Sequence, residues 1–140
     1  MSQRFADIQH VLSSDEAIVE VVTEIGAKEL TKILEKEGYF AVLVDRAPVF
    51  NKDTLLHAFY QGCEFPAYFG FNWDALEDCL LDFSWIIAEM YVLIFQNYEV
   101  LRERTPEVAE TLEAIIKDVA LARHDAGRKK LKMLILKEET

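Results

Sequence analysis

Residues 65–80 read FPAYFGFNWDALEDCL, and this stretch decides how the rest of the chain is interpreted. Asn72 is a residue type that often caps the first turn of a helix, so the sequence predicts a helix from there to about Leu81. At about 100° per residue, apolar side chains collect on one side of that helix and acidic ones on the other. The apolar set, predicted to be buried, is Trp73, Leu76, Cys79, Leu80 and Phe83; the acidic set is Asp74, Glu77, Asp78 and Asp82.

The acidic side of this helix has two interpretations. Charge on an exposed helix face is usual, so an amphipathic helix without a binding role explains it. However, no Lys or Arg occurs between Lys52 and Arg102. Asp74, Asp78 and Asp82 also form two successive repulsive i,i+4 pairs, which a solvated helix normally relieves with basic residues. Such a concentration of negative charge favours a surface that receives a cationic partner.

The loop before the helix adds an aromatic candidate. Pro66 and Gly70 favour a turn, and Tyr68 and Phe69 are adjacent, so both rings are not expected to point inward. Tyr68 is either an exposed anchor for a partner or a ring packed under the loop, and the sequence favours neither.

Outward from this segment, helical and strand patterns alternate. Residues 27–37 predict a helix that ends at Gly38, Asn51 begins another, and Pro106 opens a third that continues to Arg123. Residues 17–22 (AIVEVV) fit a strand, whereas Ser13 followed by Glu16 fits a helix start, and this choice stays open. Buried parallel strands are predicted at Ala41–Asp45, Tyr91–Phe95 and Lys132–Leu136. The expected fold is an α/β domain of two or three layers with a small three-stranded parallel sheet.

Composition limits the function. A chain of 140 residues with a net charge of −10 is predicted to be a single domain that does not bind nucleic acid, since phosphate backbones are bound by surplus Lys and Arg. No apolar run reaches membrane-spanning length, and the N-terminus has acids where a secretory signal needs an apolar core. Cys63 and Cys79 predict reduced thiols rather than a disulfide framework. We therefore expect a cytoplasmic protein without membrane contact.

Other kinds of site have weaker support. Asp74 and Asp78 lie one turn apart on a convex face, which suits neither a pair of catalytic carboxylates nor a ring of metal ligands. No catalytic triad, metal or cofactor is predicted. The run RHDAGRKKLK, residues 123–132, is expected to be a solvated turn rather than a basic binding patch.

The segment YFGFNWDALEDCL, residues 68–80, resembles the barstar family, whose motif is an aromatic pair, Gly, one residue, Asn, an apolar residue, Asp-Ala-Leu, one residue and Asp-Cys-Leu. The resemblance covers about residues 39–136. It implies a barstar-like domain at 39–140 and an N-terminal extension at 1–38, packed on that domain or leading into it. The family contains cytoplasmic inhibitors that block a basic ribonuclease with an acidic helix and the loop before it.

The resemblance implies a set of partner contacts and no enzymatic activity. The implied contacts are Tyr68, Asn72, Asp74, Glu77, Asp78, Asp82 and Asp118, with Glu113 as a rival to Asp118. Asp78 matches the carboxylate that occupies the enzyme's phosphate site. The expected partner is a basic protein such as a ribonuclease or nuclease toxin. The alternatives are a non-nuclease or self-association role and, less favoured, a carboxylate-based enzyme.

Four positions depart from the inhibitor's pattern. Glu77 stands for an aromatic contact, Asp82 for glycine, Phe71 for a polar residue and Phe83 for tryptophan. The fold and the acidic face carry over, whereas recognition of the same ribonuclease does not follow, because specificity depends on the whole set of contacts.

Overall fold

The computed structural model describes residues 2–137, with side chains described from residue 8 onward. The elements in chain order are α1 (Ser2–Ser13), β1 (Ile18–Val22), α2 (Ala27–Lys36), β2 (Phe40–Leu43), α3 (Lys52–Gly62), α4 (Trp73–Asp82), β3 (Tyr91–Phe95), α5 (Tyr98–Arg104), α6 (Pro106–Asp125) and β4 (Leu131–Lys137). The predicted α/β class is confirmed.

The sheet has four parallel strands in the order β1-β4-β3-β2, so the prediction of three strands is wrong. The additional strand is β1, which pairs with β4 from Ile18 opposite Met133 to Val22 opposite Lys137. The open choice at residues 17–22 is thereby settled as a strand. Ser13 is the last residue of α1 rather than a helix start, and its hydroxyl donates to the His10 carbonyl at 2.8 Å.

Both faces of the sheet are covered, which makes three layers. Because strand side chains alternate, Leu93 belongs to one core and its neighbours Val92 and Ile94 belong to the other. The core that contains Leu93 packs beneath α3, α4 and α6. The opposite core packs beneath α1 and α2, which contribute Ile8, Leu12, Leu30 and Leu34.

A buried lysine joins β4 to the end of α1. Lys132 is fully buried among the strands. Its ammonium donates to the carbonyl oxygens of Val11 at 3.1 Å and Ser14 at 2.8 Å, and to the Ser14 hydroxyl at 2.9 Å. Carbonyls at a helix C-terminus have no intrahelical donor, so a cation there satisfies them. Burial, and then the nearby Lys130, lower the pKa of Lys132 to about 8.

The predicted helix boundaries follow their caps. Asn51 accepts a hydrogen bond from the Thr54 amide at 2.8 Å, in a reciprocal capping box at the start of α3. Gly38 has φ +86° after α2, as the left-handed turn requires. The short helix α5 was not predicted. Its Arg102 pairs with Glu99 at 2.7 Å and with Glu20 of β1 at 2.9 Å, which ties α5 to the added edge strand.

Candidate protein-binding site

The helix that carries the predicted acids begins at a well-formed cap. The Asn72 side chain accepts a hydrogen bond from the Ala75 amide at 2.8 Å, and its amide group donates to the Gly70 carbonyl at 3.3 Å. This arrangement fixes the direction in which the chain enters α4. Asn72 therefore has a structural role in the loop, whether or not it also contacts a partner.

The inner face of α4 is anchored in the core. Leu76 and Leu80 are fully buried, and Cys79 and Phe83 are buried as predicted. Trp73, also predicted to be buried, is only half-buried. It is the first residue of the helix, and the Lys52 ammonium lies 5.3 Å from the centre of its ring. Because four of the five predicted inner residues are held in the core, the outer face of α4 has a fixed orientation.

The C-terminal end of α4 is held by two arginines. Arg123 is buried and donates to the carbonyls of Leu80 at 3.3 Å and Leu81 at 2.7 Å. Arg128 also donates to the Leu81 carbonyl, at 2.7 Å. Cations at a helix C-terminus satisfy carbonyls that have no intrahelical partner. Arg123 and Arg128 in the run at 123–132 therefore bind the C-terminal end of α4, whereas the sequence predicted only a solvated turn there.

The outer face of α4 carries the four predicted acids. Asp74, Asp78 and Asp82 are exposed, and Glu77 is half-buried. Asp82 accepts a hydrogen bond from the Ser84 hydroxyl at 3.2 Å. Within the side chains described from residue 8 to 137, none of the four acids forms an ion pair. Like charges one helical turn apart therefore face solvent without a neutralising partner on the same surface.

The loop before α4 divides its rings between core and solvent. Phe65 and Phe69 are buried and lie 4.9 Å apart between ring centres. Tyr68, between them in sequence, is 77% exposed. The amide of Phe69 donates to the Pro66 carbonyl at 3.0 Å, which closes the turn that separates the rings. The sequence left open whether the Tyr68 ring is exposed or packed under the loop, and in the structure it is exposed.

A second exposed ring, Phe71, was not among the predicted contacts. It is 37% exposed and has φ +51°, a left-handed conformation that is unusual for a bulky residue. Its ring centre lies 4.5 Å from that of His57 and 5.1 Å from that of Tyr60. The family pattern has a polar residue at this position, and the presence of Phe71 there was the feature of the sequence that could have indicated an exposed ring.

The two acids proposed for the long helix differ in their surroundings. Glu113 accepts a hydrogen bond from the Tyr98 hydroxyl at 2.9 Å and lies 3.7 Å from the Arg102 Nε. Asp118 is exposed on α6, the helix that packs beside α4, and has no hydrogen bond or ion pair to the described side chains. Only Asp118 is thus free of a structural partner within that region.

The residues described by the model include no group of three His, Cys, Asp or Glu side chains placed to hold a metal ion. Cys63 is fully buried and Cys79 is buried, and burial raises the pKa of both thiols. Among residues 2–137, no helix has the length and apolar character needed to cross a membrane.

A comparison with protein families matches residues 39–135 to the model described as Barstar (barnase inhibitor). The matched segment begins just before β2 and includes the loop, α4 and most of β4. The chain belongs to the barstar family. A comparison with curated proteins finds no match. Membership in the barstar family confirms the resemblance drawn from residues 68–80 and supports a protein as the partner of this chain.

Proposed function

We propose that this barstar-family protein binds and inhibits a basic ribonuclease or nuclease toxin through α4 and the loop before it. The carrying observation is the acidic face of α4, free of ion pairs to the described side chains, beside the exposed ring of Tyr68. The proposed contacts are Tyr68, Asn72, Asp74, Glu77, Asp78, Asp82 and Asp118.

Each proposed contact has a role that follows from its position. Tyr68 presents a large aromatic surface, the type of side chain that dominates interface energetics. Asp74 and Asp78 offer carboxylates where the phosphates of a nucleic-acid substrate would lie, so the cations that bind substrate would bind the inhibitor instead. Because α4 is capped at both ends and buried on its inner face, little conformational entropy is lost when these carboxylates are bound.

The same geometry favours inhibition over catalysis. The acids of α4 stand on the outer face of a helix, where Asp74, Asp78 and Asp82 are exposed and water is not excluded. The cavity of about 500 Å³ described below is lined by other residues. We place the protein in the cytoplasm, since Cys63 and Cys79 are free thiols and such thiols persist in reducing compartments.

We also propose that residues 1–38 form an extension of the domain at 39–140. They precede the segment that matches the family, and they supply α1, β1 and α2. In this position they cover one sheet face and pair with β4, on elements other than those that carry the acidic face.

The test is a capture experiment from the native host with three immobilised baits. The first is wild type, the second is the double variant Asp74→Ala/Asp78→Ala, and the third is the control Glu35→Ala/Glu37→Ala. The control removes two exposed acids at the end of α2, so it changes net charge equally without touching the site. We expect a basic protein with wild type and control, and its loss with the site variant.

The captured protein is then assayed for ribonuclease and deoxyribonuclease activity with and without added inhibitor. Stoichiometric loss of activity with wild type, and not with the site variant, supports inhibition. Equal capture by all three baits would exclude the acidic face as the site. A captured protein that is acidic, or that lacks nuclease activity, would refute the inhibitor role and leave the non-nuclease or self-association alternative.

A further inference from the structure

A cavity of about 500 Å³ lies between α6, the start of β4 and the loop that joins α1 to β1. None of the proposed partner contacts lines it. Its apolar lining comes from Ala17, Ala120, Leu121 and Leu131, and its volume lies within the range of sites for small organic ligands.

One wall of this cavity is a stripe of α6 that does not pack into the core. Lys117, Ala120, Leu121 and His124 follow the i, i+3, i+4, i+7 spacing that places residues on one helix face. The core-facing residues of α6, such as Leu112, Ile116 and Val119, are fully buried, whereas Leu121 is 62% exposed. An apolar side chain in the middle of a solvent-facing stripe is consistent with a surface that a ligand covers.

The basic side chains that line the cavity fall into two groups. Arg128 and Lys130 are engaged by the carbonyls of Leu81 and Ser14, and Lys129 lies 3.0 Å from a Glu89 carboxylate oxygen. These contacts fix the backbone at the start of β4.

By contrast, Lys117 and His124 are exposed and have no hydrogen bond or ion pair within the described side chains. They stand two helical turns apart on either side of Leu121. Their donors are therefore available to an anion above the apolar lining.

The acids of the cavity lie on the opposite wall. Asp15 and Glu16 belong to the loop after α1. Burial lowers the pKa of Lys132, and these two carboxylates act against that effect. Their charge thus offsets that of the buried ammonium of Lys132, and Lys117 supplies the positive charge of the α6 wall.

We propose that this cavity binds a small organic anion with an apolar body. Its carboxylate, sulfonate or phosphate group lies between Lys117 and His124, and its apolar part rests on Leu121 and Ala17. This inference is independent of nuclease inhibition, because it uses neither α4's acids nor the loop before them.

The probe for this site is 8-anilinonaphthalene-1-sulfonate, titrated into ¹⁵N-labelled full-length protein and followed by amide chemical shifts. We expect saturable shifts confined to residues 15–17, 117–124 and 128–131. The double variant Lys117→Ala/His124→Ala is expected to weaken binding about tenfold, since one charge-assisted contact from Lys117 and one hydrogen bond from His124 are lost. Lys32→Ala, at an exposed position of α2, is the matched control and should bind like wild type.

Two further measurements separate the anion from the apolar contact. Leu121→Ser should weaken binding without changing the fold, because Leu121 is mostly exposed; thermal unfolding checks that the variant remains folded. The uncharged analogue N-phenyl-1-naphthylamine should bind more weakly than the sulfonate. Equal binding of the two probes, shifts centred instead on Tyr68 and Phe71, or no saturation at millimolar probe would each overturn the proposal.

Discussion

Lys132→Met should change the pH dependence of stability in a way that reports directly on the buried ammonium. Met keeps the apolar stem and removes the charge. In the native protein the pKa of Lys132 is about 8, whereas the ordinary value is 10.5. Between these two values the unfolded chain binds more protons than the folded one, so stability rises with pH.

The size of this effect follows from the two pKa values. Below pH 8 the amine is charged in both states, and the folded state bears the cost of burying it. From pH 7 to pH 10 the folded amine becomes neutral while the unfolded amine stays largely charged. The free energy of unfolding of wild type should therefore increase by about 2 to 3 kcal/mol relative to Lys132→Met over that interval.

The assay is urea unfolding of both proteins at pH 7, 8, 9 and 10, under reducing conditions, monitored by circular dichroism. Comparing the two proteins cancels the contributions of titrating groups that both contain. One of these groups is Tyr98: burial raises its pKa, so its contribution to stability falls as pH rises. Lys32→Met, at an exposed position, is the control and should show a constant difference from wild type. If the difference in the free energy of unfolding between wild type and Lys132→Met changes by less than about 0.5 kcal/mol from pH 7 to pH 10, the reasoning that the ammonium is desolvated is refuted.

Three further outcomes are expected. Asp78→Ala should weaken affinity for the captured partner by at least about 2 kcal/mol, measured by calorimetry, and association of wild type should slow markedly as salt rises; unchanged affinity would remove Asp78 from the site. Leu76→Ala should reduce the free energy of unfolding by about 2 to 5 kcal/mol, because the side chain is fully buried, and a loss below 1 kcal/mol would contradict that burial. Arg123→Met should destabilise the fold by about 1 to 3 kcal/mol in thermal or urea unfolding, since the Leu80 carbonyl loses its charged donor and the Leu81 carbonyl keeps only Arg128; a neutral result would contradict this role of Arg123 and show that Arg128 suffices.

Local signals in the sequence predicted most elements correctly, because their causes are local. Asn51 and Asn72 begin α3 and α4 by bonding amides three residues later, and such spacing is visible in the letters. The strand at 91–95 is buried on both faces, so its continuous apolar run distinguishes it from a surface helix.

The errors concern residues whose environment is set by distant parts of the chain. The strand β1 includes exposed Glu20, and its partner β4 lies more than a hundred residues away, so no local pattern announces the pairing. Lys132 alternates with apolar neighbours like any polar strand residue. Lys132 is buried against the end of α1, which lies at the other end of the chain and supplies the carbonyls that bind its ammonium.

The candidate site divides in the same way. The acids of α4 and their orientation follow from helical periodicity and from family resemblance. The exposure of Tyr68 does not, because it depends on which of two adjacent rings the core accepts. Likewise, sequence alone could not separate Glu113 from Asp118, since the distinction rests on Tyr98 and Arg102, which engage Glu113.

The strand order has a consequence for the nascent chain during synthesis. Because β4 lies between β1 and β3, the sheet cannot be completed until residues 131–137 have left the ribosome. Until then β1 has no neighbour on either side, and the edge of β3 offers unpaired backbone groups to any extended segment nearby. If synthesis stops shortly before residue 131, both β1 and β3 lack their β4 partner. Such fragments should therefore depend on chaperones far more than the full-length protein does.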